Sequence, residues 1–214
     1  YYEKSIQLRI EKLGKGHPDV AASYNNIGVV YHEKGLYDDA ISHFEAAAAI
    51  QIKALGKEHP DLATSYVNIA AAYEGKGMLD KALDYYNRAL EVRIHAQGSD
   101  HSDVADIYNM IGTIYNKKSL QYKTLELYEK AHTIQKLQLG EDHPAVAHTY
   151  TLLGHHYKCS GHFKQAEIYY ENAYSILMKQ LDPGHVLITK VKNYLKSLRI
   201  MEEKASIRDR KSVV

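Results

Sequence analysis

One 42-residue unit recurs four times along this chain, and a histidine marks its register: His17-Pro-Asp-Val, His59-Pro-Asp-Leu, His101-Ser-Asp-Val and His143-Pro-Ala-Val. A fifth histidine, His185, falls on the same beat, so no insertion interrupts about 170 residues. Self-similarity at a fixed period of this size restricts a chain to architectures in which each unit buries its apolar face only by stacking on its neighbours. The expectation is one quasi-linear array rather than one or two ordinary domains. Function in such an array is carried on a surface.

Within a unit the apolar and small residues recur at helical spacing. Val20, Tyr24, Ile27, Gly28 and Tyr31 define a first helix, here helix A. Pro18 suits its first position, because proline lacks an amide that would have had no partner there, and Asp19 favours the positive end of the helix dipole. His17 is then at or beside the N-cap. The helix is expected to stop at Lys34-Gly35, where glycine adopts a left-handed conformation. Ala40, Ile41, Phe44, Ala47, Ala48, Ile50 and Leu55 define helix B, closed by Gly56. Small residues at Gly28, Ala70, Gly112 and Gly154 let the two backbones approach, and Tyr31, Tyr73, Tyr115 and Tyr157 fill the space beside them. These tyrosines therefore read as core rather than as ligand-stacking groups. The third unit departs, with Ser119 for the turn glycine and Thr124 for the small alanine, and a looser or slightly rotated junction is expected there.

The predicted architecture is all-α, a right-handed α-solenoid (superhelix) of antiparallel helix pairs. Residues 1–16 read as a helix B remnant of a preceding unit, beginning at Tyr1-Tyr2 in mid-helix as in a piece of a longer protein. Complete units follow at 17–58, 59–100, 101–142 and 143–184. A capping helix is expected over 185–205, where Lys196 and Arg199 replace the small residue and tyrosine of the beat, and a basic tail over 206–214.

Composition narrows the function classes. Net charge is only +1, which gives no global field for nucleic acid. Residues 190–211 carry eight Lys or Arg against three acids, a local balance of +5. That basic end reads as a solvated chain end in preference to a phosphate or acidic-partner site. No apolar run approaches the ~18 residues of a membrane span, so no membrane insertion is expected. Cys159 is the single cysteine and has no partner for an internal disulfide, which fits a cytoplasmic protein.

The order Tyr24, Ile27, Gly28, Tyr31, Gly35, Ala40, Phe44 and Ala47 resembles the tetratricopeptide repeat (TPR). The 42-residue length and the string Leu13-Gly-Lys-Gly-His-Pro-Asp-Val-Ala21, echoed from Leu55 to Ala63, are similar to the cargo-binding repeats of kinesin light chains. The heptads through which a light chain pairs with its heavy chain are missing. The resemblance implies that helix A lines a concave groove for short peptide segments of partner proteins, motor-cargo adaptors among them. Counted from the glycine beat, the groove positions are Asn25, Asn26, Val29, His32 and Glu33 in the first unit and Val67, Asn68, Ala71 and Glu74 in the second. The third supplies Asp106, Asn109, Met110, Thr113, Asn116 and Lys117, and the fourth His148, Thr151, Leu152, His155 and Lys158. Asparagine is a poor helix former, and Asn25, Asn68 and Asn109 are read as one recurring position whose amides clamp a peptide backbone. Glu33, Glu74 and Asp106 precede Lys117, Lys158 and the two histidines, so a ligand basic over the first units and acidic over the last is expected.

Thirteen histidines raise the question of metal chemistry. The five on the repeat beat are too widely separated to share an ion and read as helix starts. His148, His155, Cys159 and His162 form the one local constellation, but His162 falls past the expected helix end and a closed zinc site needs four placed ligands. No nucleophile, base and orienting acid come together, and the glycines are single and periodic rather than a phosphate loop. The expectation is a non-enzymatic protein without cofactor or metal. Two other readings stay open: a structural spacer or self-associating array, and a regulatory repeat module of a larger multidomain signalling protein or enzyme.

Overall fold

The computed structural model of the chain describes residues 2–212, with side chains described at residue 4 and residues 6–201. Two compact units divide it, Tyr1–Ile114 and Tyr115–Val214. The architecture is all-α, with no strand among the described residues. The A helices are α2 (Pro18–Glu33), α4 (Pro60–Gly75), α6 (Ser102–Lys117) and α8 (Pro144–Cys159), each of 16 residues. The B helices are α3 (Tyr37–Leu55), α5 (Leu79–Gln97), α7 (Gln121–Leu139) and α9 (Phe163–Gln180). α1 (Tyr2–Leu13) stands where the helix B remnant is expected, and α10 (Val186–Ser212) closes the chain. In the first unit α1 packs on α2, α2 on α3, α3 on α4 and α4 on α5; in the second α7 packs on α8, α8 on α9 and α9 on α10.

The repeating histidine is the helix start. In all five positions its Nδ1 accepts the backbone N–H two residues on, from Asp19, Asp61, Asp103, Ala145 and Leu187, at 3.1–3.2 Å. The imidazole thereby does what serine or aspartate does at an ordinary N-cap, satisfying one orphan amide of the first turn. An accepting Nδ1 leaves the ring proton on Nε2. At the other end of helix A the chain turns through a left-handed residue, Gly35 at φ +75°, Gly77 at +74° and Gly161 at +79°. Ser119 takes the same conformation at φ +59° without being glycine. Thr124 is fully buried and turns its hydroxyl back onto the Leu120 carbonyl at 3.1 Å. Ser119 thus keeps the conformation of the turn, and Thr124 is accommodated within the first turn of α7.

Close approach of helix A and helix B sets each hairpin. A Cβ placed on Gly28 would lie 2.5 Å from the Phe44 ring, and one on Gly154 2.7 Å from that of Tyr170. Phe44 and Tyr170 are accordingly buried, each flanked by the alanines of helix B, Ala40 and Ala47 or Ala166 and Ala173. The tyrosines beside the crossing stack on helix B: Tyr73 on Tyr85 at 5.6 Å and Tyr157 on Tyr169 at 5.3 Å.

Junctions between successive repeats carry polar pairs in a pattern twice the length of the repeat, buried where glutamine supplies them and more open at Arg9 and Arg93. The inward helix B beat reads Arg9, Gln51, Arg93, Gln135 and Leu177, and the facing helix A beat Ser23, Ser65, Ile107, Thr149 and Val191. Ser65, fully buried, donates to Gln51 Oε1 at 2.7 Å and accepts from Asn25 Nδ2 at 2.9 Å. Thr149 repeats the bond to Gln135 at 2.6 Å. At the other junctions of the first unit Arg9 reaches Ser23 at 2.7 Å, and Arg93 reaches Thr64 and Asp103 at 3.0 and 3.2 Å. A buried hydroxyl or amide left unmatched costs about 1–3 kcal/mol, so these pairs fix which helix follows which. At Leu177 and Val191 the polar pair disappears.

α10 differs from the expected cap in one respect: it continues past residue 205 to Ser212. Ile188, Val191 and Leu198 are its buried face, while Lys196 and Arg199 stay exposed, Arg199 within 3.4 Å of Glu167. The side chains of the basic run Arg208 to Lys211 lie outside the described residues.

The second unit also holds histidines whose protonation is disfavoured. His156 is buried and donates from Nδ1 to Asn116 Oδ1 at 3.2 Å, while His132 packs on Tyr150 at 4.7 Å between ring centres. Desolvation lowers both pKa values, aided by His162 beside His156 and by Lys136 beside His132. Folded-state values below the unfolded imidazole value make the unfolded chain bind more protons, so stability is complete above about pH 6.5 and falls below it.

Thermal unfolding should therefore shift to lower temperature between about pH 7.5 and about pH 5.5, with a shallower slope in His156→Gln. An unchanged slope in that variant would remove His156 from the account. Ser119→Gly should stabilise by about 1 kcal/mol, since the left-handed cost of a non-glycine residue is relieved. In urea titrations His59→Ala should lose about 1 kcal/mol, and His59→Asn only a few tenths, because asparagine restores a cap acceptor.

Candidate functional site

A helices neighbour one another inside each unit. In the first, α2 and α4 are in contact, and Asn25 bridges them through Ser65. In the second, α8 and α10 lie side by side, with His155 stacked on Tyr194 at 6.4 Å and Lys158 Nζ 3.4 Å from Ser197 Oγ. The faces on which the sequence placed its groove residues are therefore the faces where consecutive A helices meet.

In the second unit that face encloses a cavity of about 150 Å³. α8 supplies Pro144, Ala147, His148, Thr151, Leu152 and His155; α9 supplies Leu177; α10 supplies Leu187, Lys190, Val191 and Tyr194. Four of the five groove residues expected in the fourth unit line it. The fifth, Lys158, stands beyond it against Ser197. The walls are mainly apolar for a reason in the register: Leu177 and Val191 occupy the beats at which preceding junctions hold Gln51 with Ser65 and Gln135 with Thr149. Thr151 turns its hydroxyl onto the Ala147 carbonyl at 2.9 Å. Desolvation lowers the pKa of His155, and the Lys158 ammonium lowers it further, so the ring is neutral near pH 7.

The remaining expected residues are distributed as follows. Asn26, Val29 and Glu33 are exposed on α2, and His32 meets Tyr37 edge-on at 5.4 Å. Val67, Asn68 and Ala71 are half-buried on α4. Glu74 accepts from the Tyr86 hydroxyl at 3.1 Å, a contact that with burial raises the tyrosine pKa. On α6 Asp106 is exposed, Met110 is half-buried, and Thr113 is half-buried with its hydroxyl on the Asn109 carbonyl at 2.9 Å. Asn116 is held by His156, and Lys117 is exposed.

The reading of three asparagines as one open clamp needs correction. By the 42-residue count Asn25 and Asn109 share a beat with Val67 and Thr151, whereas Asn68 falls on the beat of Asn26, Met110 and Leu152. Asn25 spends its amide on the α2 to α4 junction, and Asn109 is 3% exposed. Neither amide is therefore open to a peptide backbone. Sequence reasoning missed the α10 wall of the cavity. Its signal was the stripe Leu187, Val191, Tyr194 and Leu198 at three- and four-residue spacing.

The local histidine and cysteine constellation does not gather. His155 faces Tyr194, His162 precedes α9 and meets Tyr157 edge-on at 6.2 Å, and Cys159 is exposed. Among the described residues no three His, Cys, Asp or Glu side chains stand together as metal ligands, and no helix is long and apolar enough to cross a membrane.

The sequence matches the tetratricopeptide repeat family model over residues 1–47, 19–95 and 103–179. No curated protein matches it. The crystal structure of BtubC (BKLC) from P. vanneervenii is similar over 99% of this chain and 87% of that one, at 21% identity and a TM-score of 0.72. A Podosopora anserina protein described as a kinesin light chain, with nearly identical TPR-like repeats, is similar over 91% of this chain and 92% of its own, at 22% identity and a TM-score of 0.71. At such identities the likeness is one of fold, the α-solenoid of paired helices. Repeats of this kind mediate protein–protein interaction, and the chain belongs to the tetratricopeptide repeat family.

Proposed function

We propose that the chain is a protein-interaction scaffold whose helix A faces bind short peptide segments of partner proteins. The observation that carries this reading is the cavity of about 150 Å³ on the α8 face, where His148, Thr151, Leu152 and His155 converge around apolar walls. An apolar recess with a few polar groups at its edge suits one anchoring side chain of an extended segment. The surrounding helices are fixed by buried junctions, so only the ligand has to be ordered on binding. In the first unit the exposed Val29, Asn26 and Glu33 offer contacts along α2, outside the Asn25 bridge. Light-chain-like recognition of motor cargo is one form such binding takes, and the repeat likeness supports it only at the level of fold.

Selection of random peptides displayed on phage, followed by fluorescence anisotropy of the enriched sequences, tests the reading. Enriched peptides should bind with micromolar affinity and weaken at least about fivefold in Leu152→Ala or Val29→Glu, with helical circular dichroism unchanged. Tyr122→Ser, on an exposed position of α7, should leave them unaffected. Failure to enrich peptides, or binding sensitive to Tyr122→Ser and indifferent to the other two, would favour a spacer.

A further inference from the structure

The second compact unit carries imidazoles at beats where the repeat elsewhere carries apolar or aromatic side chains. His132 shares its beat with Ala48, Leu90 and Tyr174, and His156 shares its own with Val30, Ala72, Ile114 and Leu198. Both stand where α8 meets the repeat before it: His132 of α7 packs on Tyr150 of α8, and His156 of α8 donates to Asn116 of α6. A third imidazole, His143, caps the same helix. We infer that this junction is an acid-operated joint, docked while His132, His143 and His156 are neutral and opened by their protonation, and that the α3–α4 junction is not.

Each of the three is placed so that an added proton meets no acceptor. Nε2 of His132 is buried and has no hydrogen-bond partner among the described residues. Tyr150 and Lys136 stand beside that ring, and the acid facing it, Glu141, is taken up by Lys136 at 2.7 Å. The groups facing His156 are Asn116, Tyr157 and His162, none of them an acid. Desolvation holds both imidazoles below the ordinary histidine value, because a buried cation without a counter-charge is costly. His143 uses Nδ1 to accept the Ala145 amide, and a protonated ring has no lone pair left for it. The acids just before it, Glu141 and Asp142, are paired with Lys136 and Lys179.

The α3–α4 junction is the internal control. Its Gln51–Ser65 bond of 2.7 Å matches the Gln135–Thr149 bond of 2.6 Å between α7 and α8, and neither pair titrates. No histidine of α2 to α5 is buried. His43 already donates from Nδ1 to the Asp39 carbonyl at 2.8 Å, so a second proton costs it no bond. The cap His59 has the Asp61 carboxylate 3.8 Å from Nδ1, as His17 and His101 have Asp19 and Asp103 at 3.7 and 3.8 Å. Protonation there exchanges a cap for an ion pair. Ala145 and Leu187 occupy the matching position after His143 and His185, where no such exchange is offered.

Hydrogen–deuterium exchange of the full chain, read by mass spectrometry from about pH 7.5 to about pH 5.5, tests the joint. Each segment's rate is divided by that of an unstructured peptide at the same pH. Protection of the α7–α8 segment should fall at least about tenfold over this range, and that of the α3–α4 segment by less than about twofold, because the opened form binds protons that the docked form excludes. Ala145→Asp, which gives His143 the carboxylate the earlier caps have, should reduce the α7–α8 loss at least about twofold. The double variant His132→Leu with His156→Leu should reduce it further. Equal loss of protection in the two segments, or no loss in either, overturns the inference. So does a loss in the α7–α8 segment that Ala145→Asp leaves unchanged, an outcome readable even where the double variant does not fold.

Discussion

The α2–α3 and α8–α9 hairpins each depend on a close backbone crossing between a glycine of helix A and an aromatic ring of helix B. Gly28 under Phe44 and Gly154 under Tyr170 leave no room for another carbon. That contact fixes how far apart the paired helices lie, and so where the next A helix can dock. Burial of Phe44 or Tyr170 is worth a few kcal/mol only while the crossing stays tight, because a gap of an ångström forfeits much of the dispersion energy. The histidine caps and left-handed turns then set helix A to 16 residues in every unit.

The junctions between hairpins make the units unequal. Arg9, Gln51, Arg93 and Gln135 alternate, and each meets a hydroxyl or carboxylate from the facing helix A. Polar matching of this kind adds little net stability but penalises wrong neighbours, since a misplaced partner leaves a buried group unsatisfied. Where the series ends, at Leu177 and Val191, that demand vanishes and an apolar recess takes its place. The same beat that specifies assembly earlier in the chain thus lines the recess proposed to bind a peptide.

Much of the fold was legible because it rests on local rules. His17, His59, His101, His143 and His185 are the caps that their spacing implied, and Gly35, Gly77 and Gly161 are the left-handed stops. Ser119 shows that the turn geometry is imposed even where the residue resists it. The site was less legible. Counting from the glycine beat put His148, Thr151, Leu152 and His155 on one face, where they line a common recess, yet it assigned Asn25 and Asn109 to the same open surface. Helical periodicity identifies a face but not whether a neighbouring helix will cover it.

The sequence by itself determined the repeat length, the helix ends, the small-to-aromatic crossings and the family, because each follows from contacts within about one turn or one hairpin. Only the tertiary structure decided that Asn25 turns inward to Ser65, that Asn116 holds a buried His156, and that α10 completes a cavity rather than merely closing the array. Those outcomes join residues about 40 positions apart on neighbouring helices. Their energies are set by which groups exclude water from one another, a property that appears only when the helices are stacked.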